Sequence, residues 1–314
     1  MLSRRNVRIK VMQTLYSREH DKEKTIERLE KTTLESINAF YRCFLYNLYL
    51  LSKTAEYVIR DNQIQAAKFI QQEDKSFLSS QVFDNIIIQH IVERESLYQE
   101  IKREKMDLRA DEDYFRQFFQ LLKKTKEYSE YSLKQNPLMP EDKEIIYFIY
   151  KKILYPNEMF QQHIEDVFTG WLDDREAIYH SVINTIETIA PGQSSFITNR
   201  VKDMKEVKEY AIDLLKKTIY NEEEAEQIIT PFLENWDKER LAMLDLLLMK
   251  MTVIEMIYFP SIPVKVSINE YIELAKLYST PKSGEFINGI LDSLMKKLKE
   301  ENRIIKSGRG EKES

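Results

Sequence analysis

The first proline in the chain is Pro137 and the first glycine is Gly170. Well over a hundred residues therefore run on without either residue type that most readily breaks a helix. Glu, Lys, Leu, Gln and Ile dominate, and no run joins β-branched alternation to an Asn-Gly or Asp-Gly hairpin signal. The expectation is an all-α chain. With 314 residues, 43% of them hydrophobic and 32% charged, it can bury the core of one or two domains. A net charge of −5 excludes a bulk nucleic-acid coat, so any nucleic-acid site must be local. The single cysteine, Cys43, permits no internal disulfide. The opening MLSRRNVRIK lacks the apolar run of a secretory signal, and no stretch approaches the roughly 18 apolar residues of a membrane span. A cytoplasmic protein without membrane contact is expected.

Apolar spacing predicts helices over about 3–18, 22–60, 77–104 and 112–134, with Asp111 as the cap of the last, followed by a loop at 136–142. Shorter helices follow over about 141–154, 157–169 and 173–189, and APGQSS (190–195) reads as a domain boundary. DMKE (203–206) and SINE (267–270) have capping-box spacing and each predicts a helix start. Residues 235–259 are apolar on nearly every side and predict a central buried helix, stopped by Pro260 and Pro263. A last helix begins near Ser283 and runs past Leu298, and residues 304–314 are expected to be a disordered tail.

Little in the chain resembles an enzyme site. His20, His90, His163 and His180 are scattered singly, without metal-ligand spacing. No phosphate cradle, dinucleotide loop or nucleophile elbow occurs, so neither a cofactor nor a metal nor catalytic residues are expected. NEEEAEQ (221–227) reads as a solvated helix face, and WLDDR (171–175) as acids suited to a helix start. The first helix says more. Its charge is one-sided, with Arg4, Arg5, Arg8, Lys10 and Arg18 preceding any acid. Arg8 falls between Val11, Met12 and Leu15, inside the apolar arc, and needs a buried partner. Asp245 and Glu255 share the sector of Leu241, Leu248 and Thr252 on the central helix, where an unpaired carboxylate costs several kcal/mol. A structural ion pair from Arg8 to one of these acids is one reading, and contact of these groups with an external partner is the other. Arg4 and Arg5 precede the packed part of the helix, and guanidinium forks suit phosphate oxygens, so a basic arm that binds RNA is one expectation, which these residues alone do not establish.

Two separated stretches carry a family resemblance. PVKVSINEYIELAKLYSTPKSGEFINGILD (263–292) closely resembles the carboxyl-terminal signature of the NusB transcription antitermination family, and SRRNVRIKVMQTLYS (3–17) resembles its opening. Residues 239–256 fit the family's central helix. The resemblance implies a NusB-like helical bundle with an extended amino-terminal helical subdomain: residues 1–18 the first core helix, 19–195 a helical insertion, 196–303 the carboxyl-terminal subdomain. The Tyr- and Phe-rich helices of the 19–195 insertion are read as core. The resemblance further implies a non-enzymatic adaptor that binds single-stranded boxA-like RNA with the NusE ribosomal protein and joins the RNA polymerase antitermination complex. Carried over to this sequence, Arg4, Arg5 and Lys10 are candidates for RNA phosphates, and Tyr16 for RNA or the protein partner. Asp245 is a candidate near the partner surface. Lys276 and Lys282 extend the basic rim, Lys282 standing where some relatives carry an acid. Asn288 and Gly289 are read as structural. Two alternatives stand beside this: a protein-only helical scaffold whose arginines are all structural, and an RNA-modifying enzyme subunit, for which the chain offers no glycine-rich strand-to-helix turn.

Overall fold

A computed structural model describes residues 2–68, 79–92, 95–190, 196–233 and 242–311. Among these residues the secondary structure is helical, with no strand, and no helix is long and apolar enough to cross a membrane. The chain forms two compact units: Met1–Leu2 with Asn38–Met204, and Ser3–Ile37 with Lys205–Ser314. Most of the boundary expected at 190–195 lies outside the described residues, as does the start of the central helix before residue 242.

The first unit takes residues 38–68 of the long helix α2 (Ile26–Lys68), then α3 (Ile86–Val92), α4 (Glu95–Arg103), α5 (Glu112–Lys123), α6 (Lys126–Ser132), α7 (Met139–Phe148), α8 (Glu158–Val167) and α9 (Trp171–Thr188). Asp111 caps α5 by accepting from the Tyr114 amide at 3.0 Å. The single helix expected over 112–134 is two. Thr125 Oγ1 accepts from the Tyr128 amide at 3.2 Å and starts α6, a cap worth about 1 kcal/mol. The helix expected over 77–104 is interrupted as well. Asn85 Oδ1 takes the Ile87 amide at 2.8 Å and opens α3 afresh. α7 runs on into a π-helical turn over Ile149–Leu154. The aromatic residues are core: Phe118, Phe119, Tyr150 and Phe160 are fully buried. The Tyr150 hydroxyl donates to buried Asn47 at 2.9 Å.

The second unit takes α1 (Arg4–Glu19), the start of α2, most of α10 (Phe196–Tyr220), α11 (Glu222–Ile229), α12 (Met243–Tyr258), α13 (Val264–Tyr278) and α14 (Ser283–Glu300). α12 is its axis. Residues Leu247–Met256 are buried without a break, and α1, α11, α13 and α14 pack around them. Each fully buried Leu, Ile, Val or Met side chain contributes roughly 1.5–3 kcal/mol, which is why so apolar a segment takes the centre.

Three local expectations change. α10 begins at Phe196, so DMKE lies inside a helix instead of opening one. α13 begins at Val264 behind Pro263, whose fixed φ suits a helix start, and this puts Ser267 inside the helix. Residues 304–311, expected to be disordered, fold back. Asn302 adopts a left-handed φ of 54°, its amide bonds the Lys299 carbonyl, and the Arg303 amide bonds the Leu298 carbonyl at 2.9 Å. This reciprocal pair ends the helix and reverses the chain. Arg303 then pairs with Glu224, the Ser307 amide bonds the Pro260 carbonyl at 3.0 Å, and Gly310 is buried.

Candidate nucleic-acid interface

Ser3 caps α1, its hydroxyl accepting from the Asn6 amide at 3.2 Å. The first turn then carries Arg4 and Arg5 and no acid. Two cations at the positive end of a helix dipole are unfavourable by a few tenths of a kcal/mol each unless negative charge lies nearby. For Arg5 that charge is Glu270 on α13, reached by a two-point fork at 2.9 Å from both Nε and Nη2. The Glu270 hydrogen bond raises the Arg5 pKa. The Arg5 side chain is still 42% exposed, so its outer edge faces solvent. Arg4 is exposed, with its guanidinium over the Tyr210 ring at 5.6 Å from the centroid.

Arg8 sits below them and is buried. Its Nη2 lies 2.6 Å from Glu255 Oε1 and its Nε 2.9 Å from Oε2, with side-chain exposures of 2% and 0%. Three hydroxyls also donate to Glu255: Tyr210 at 2.6 Å, Ser267 at 2.7 Å and Tyr271 at 3.2 Å. Burial pushes the carboxyl up, but the Arg8 charge and these hydrogen bonds outweigh it and hold it below the ordinary value. Burial likewise opposes the Arg8 charge, and Glu255 more than restores it. A buried pair completed this fully is costly to break from one side only.

The remaining candidates scatter. Lys10 is 5% exposed within the unbroken buried stretch Val7–Met12, which takes it off the surface; α1 is enclosed nearly all round, so a wheel position at the edge of the apolar arc does not mean solvent. Tyr16 is 38% exposed, edge-on to His20. Asp245 is not Arg8's partner. It is buried and accepts from Ser279 at 2.5 Å and Ser283 at 2.7 Å, pinning the loop that carries Lys282. Lys282 is exposed. Lys276 reaches Glu273 at 2.8 Å, and its stem covers Gly284.

Several groups escape a sequence reading. Tyr210 carries no signal in its helix, and Ser267 and Glu270 hide inside SINE. A second ionic cluster joins Lys250 to Glu222 at 3.1 Å and Glu226 at 2.9 Å, with Arg18 on Glu222 at 2.8 Å. NEEEAEQ is therefore partly a counter-charge for a buried lysine. Among the described residues no group of three or more His, Cys, Asp or Glu could hold a metal ion. The first unit contains a cavity of about 360 Å³ where Arg42 and Arg109 face Glu104 and Asp174, so its charges largely cancel.

Residues 176–296 match the sequence profile of the NusB family. The chain is 41% identical over 103 residues to the transcription antitermination protein NusB of Salinibacter ruber, a third of this chain and 64% of that protein. It is 41% identical over 110 residues to the protein of the same name from Chloroherpeton thalassium, covering 35% of this chain and 52% of the relative. For that of Oleidesulfovibrio alaskensis the identity is 43% over 89 residues, 28% of this chain and 58% of the relative. The chain thus spans between half and two thirds of the length of the curated relatives it matches. No solved structure matches it.

Proposed function

We propose that this chain, whose residues 176–296 are a NusB family segment, acts as an antitermination adaptor: it binds single-stranded boxA-like RNA jointly with the NusE ribosomal protein in the RNA polymerase antitermination complex. The observation that carries this reading is the 41% identity, over a hundred residues, to proteins named transcription antitermination protein NusB. The adaptor is non-enzymatic and works in the cytoplasm. Arg4 is its principal phosphate contact, since it is exposed and bound to a ring instead of an acid. The outer edge of Arg5, with Tyr16, Lys276 and Lys282, supplies further contacts. Asp245 serves the partner surface indirectly, by fixing the Ser279–Ser283 loop. A few cations of this kind give modest affinity that falls with salt, and the second protein completes the surface.

A protein-only scaffold has its own support: Arg8 is consumed by Glu255 and Arg5 is held by Glu270. Titrating a boxA-like RNA oligomer with and without the NusE ribosomal protein separates the two. Tighter joint binding, weakened by Arg4→Ala with a shallower salt dependence, is expected of the adaptor. RNA affinity and salt slope unchanged by Arg4→Ala, with no association between the proteins, would leave the scaffold.

A further inference from the structure

The end of α12 gathers positive charge from three separate parts of the second unit. Lys217, on α10, directs its Nζ to the Tyr258 carbonyl at 3.4 Å and stands 4.4 Å from the centre of the Phe259 ring. Lys306, on the returning tail, donates to the Phe259 carbonyl at 3.0 Å. Phe259 in turn meets Tyr210 edge-on at 5.6 Å, and the Arg4 guanidinium lies over the same Tyr210 ring. Two ammonium groups therefore cap consecutive carbonyls at the negative end of one helix, and a guanidinium rests on the adjoining ring. The helix dipole accounts for some of this, since cations suit a C-terminus. It does not account for the number. The acids nearby are otherwise engaged: Asp213, 3.6 Å from Lys217, is 62% exposed, Glu255 holds Arg8 and three hydroxyls, and Glu224 takes the Tyr258 hydroxyl and Arg303. No carboxylate of the described residues pairs with Lys306, whose burial brings its pKa down to about 8 against a smaller opposing effect of Glu255. An ammonium has three donors, so Lys306 keeps N–H groups to offer after its carbonyl bond.

We propose that Lys217 and Lys306, seated on the Tyr258–Phe259 corner beside Arg4 and Tyr210, form a binding site for the phosphodiester backbone of single-stranded RNA, so that the folded-back tail extends the RNA path beyond the first helix. The proposal rests on the RNA-binding reading above. An oxyanion at this corner takes up the ammonium donors that the Tyr258 and Phe259 carbonyls leave free. The tail also carries Arg309, exposed one residue before buried Gly310. Residues 303–311 lie outside the segment that the family profile matches.

The test uses the full chain and a fluorescent single-stranded boxA-like RNA oligomer titrated across a range of salt. Each phosphate contact contributes about 0.7 to the slope of log K against log salt for single strands. The pair Lys217→Gln with Lys306→Gln is expected to lower that slope by about 1.4 and weaken binding at least tenfold near 0.1 M salt, while Lys306→Arg retains it. A second readout needs no substitution: bound RNA is expected to shield Lys306 from an amine-modifying reagent near pH 8. RNA binding that is unchanged by the double substitution, with Lys306 still fully modified in the complex, overturns the proposal; loss on Arg4→Ala in the same experiment leaves the adaptor reading standing. Absence of any RNA binding by the unaltered chain, alone or with the NusE ribosomal protein, removes both.

Discussion

Glu255→Gln isolates the energetics of the second unit's core. The substitution keeps the side chain's shape and removes its charge, leaving Arg8 at 2% exposure without its two-point partner. Glu270 Oε2 remains 3.5 Å from Arg8 Nη1, but that carboxylate is 21% exposed and already held by Arg5. Removing one member of a buried pair costs about 3–5 kcal/mol, and the residual Glu270 contact places this case near the lower end, about 3 kcal/mol. At about 2–4 °C per kcal/mol for a unit of this size, the melting temperature falls by roughly 6–12 °C. Calorimetry and urea unfolding measure it, and a cycle with Arg8→Met separates the pair from its surroundings. The cycle is expected to show a coupling above about 1 kcal/mol, because each single change strands the other group. The pH dependence has a definite sign. Glu255 titrates below its ordinary 4.5 in the folded chain, so its contribution is complete above that value and is lost as pH falls through the depressed folded value. Additive single costs, or a loss below about 1 kcal/mol for Glu255→Gln, would refute the picture of a fully desolvated pair.

Two further outcomes are expected. Gly310→Ala drives a Cβ into the Pro260 carbonyl and into contact with the Lys306 stem, so the tail detaches; amide exchange at Ser307, whose N–H bonds Pro260, is expected to accelerate sharply, and unchanged protection there would count against the docked tail. Asp245→Ala leaves the Ser279 and Ser283 hydroxyls without their common acceptor, at a cost of about 1–3 kcal/mol. Denaturant unfolding checks it, and a neutral result would mean that water replaces the carboxylate.

The gross architecture was legible because it depends on punctuation and periodicity. Over a hundred residues free of Gly and Pro gave helices throughout the described part, though of these helices only α1 and α2 run unbroken as long as expected, and the apolar run before Pro260 gave the buried axis. Arg8's need for a partner was legible too, since a guanidinium inside an apolar arc is conspicuous. Which acid answers it was not: Asp245 and Glu255 share a sector of α12, and only packing assigns one to an arginine and the other to two serines. Ser267 shows why local motifs mislead. Its capping-box spacing is genuine, but Pro263 starts the helix a turn earlier and frees the hydroxyl for Glu255. The tail escaped notice because its docking depends on a left-handed Asn302 and on carbonyls 47 residues upstream, neither of which has a local signature. Lys10 escaped because the middle of α1, from Val7 to Met12, is buried all round and leaves no solvent face there for a wheel to find.

The pairing of Arg8 with Glu255 spans 247 positions. A nascent chain emerges at about 5–20 residues per second, so the opening helix waits on the order of 10 to 50 seconds for its counter-charge to be made. Residues 38–204, continuous in sequence, are finished during that interval and are free to compact beforehand. Throughout it, Val7, Val11, Met12 and Leu15 have no α12 to lie against. A nascent chain halted before residue 243 therefore lacks the helix that its leading apolar side chains lie against, and offers the transiently exposed surface that makes unfinished chains prone to aggregate.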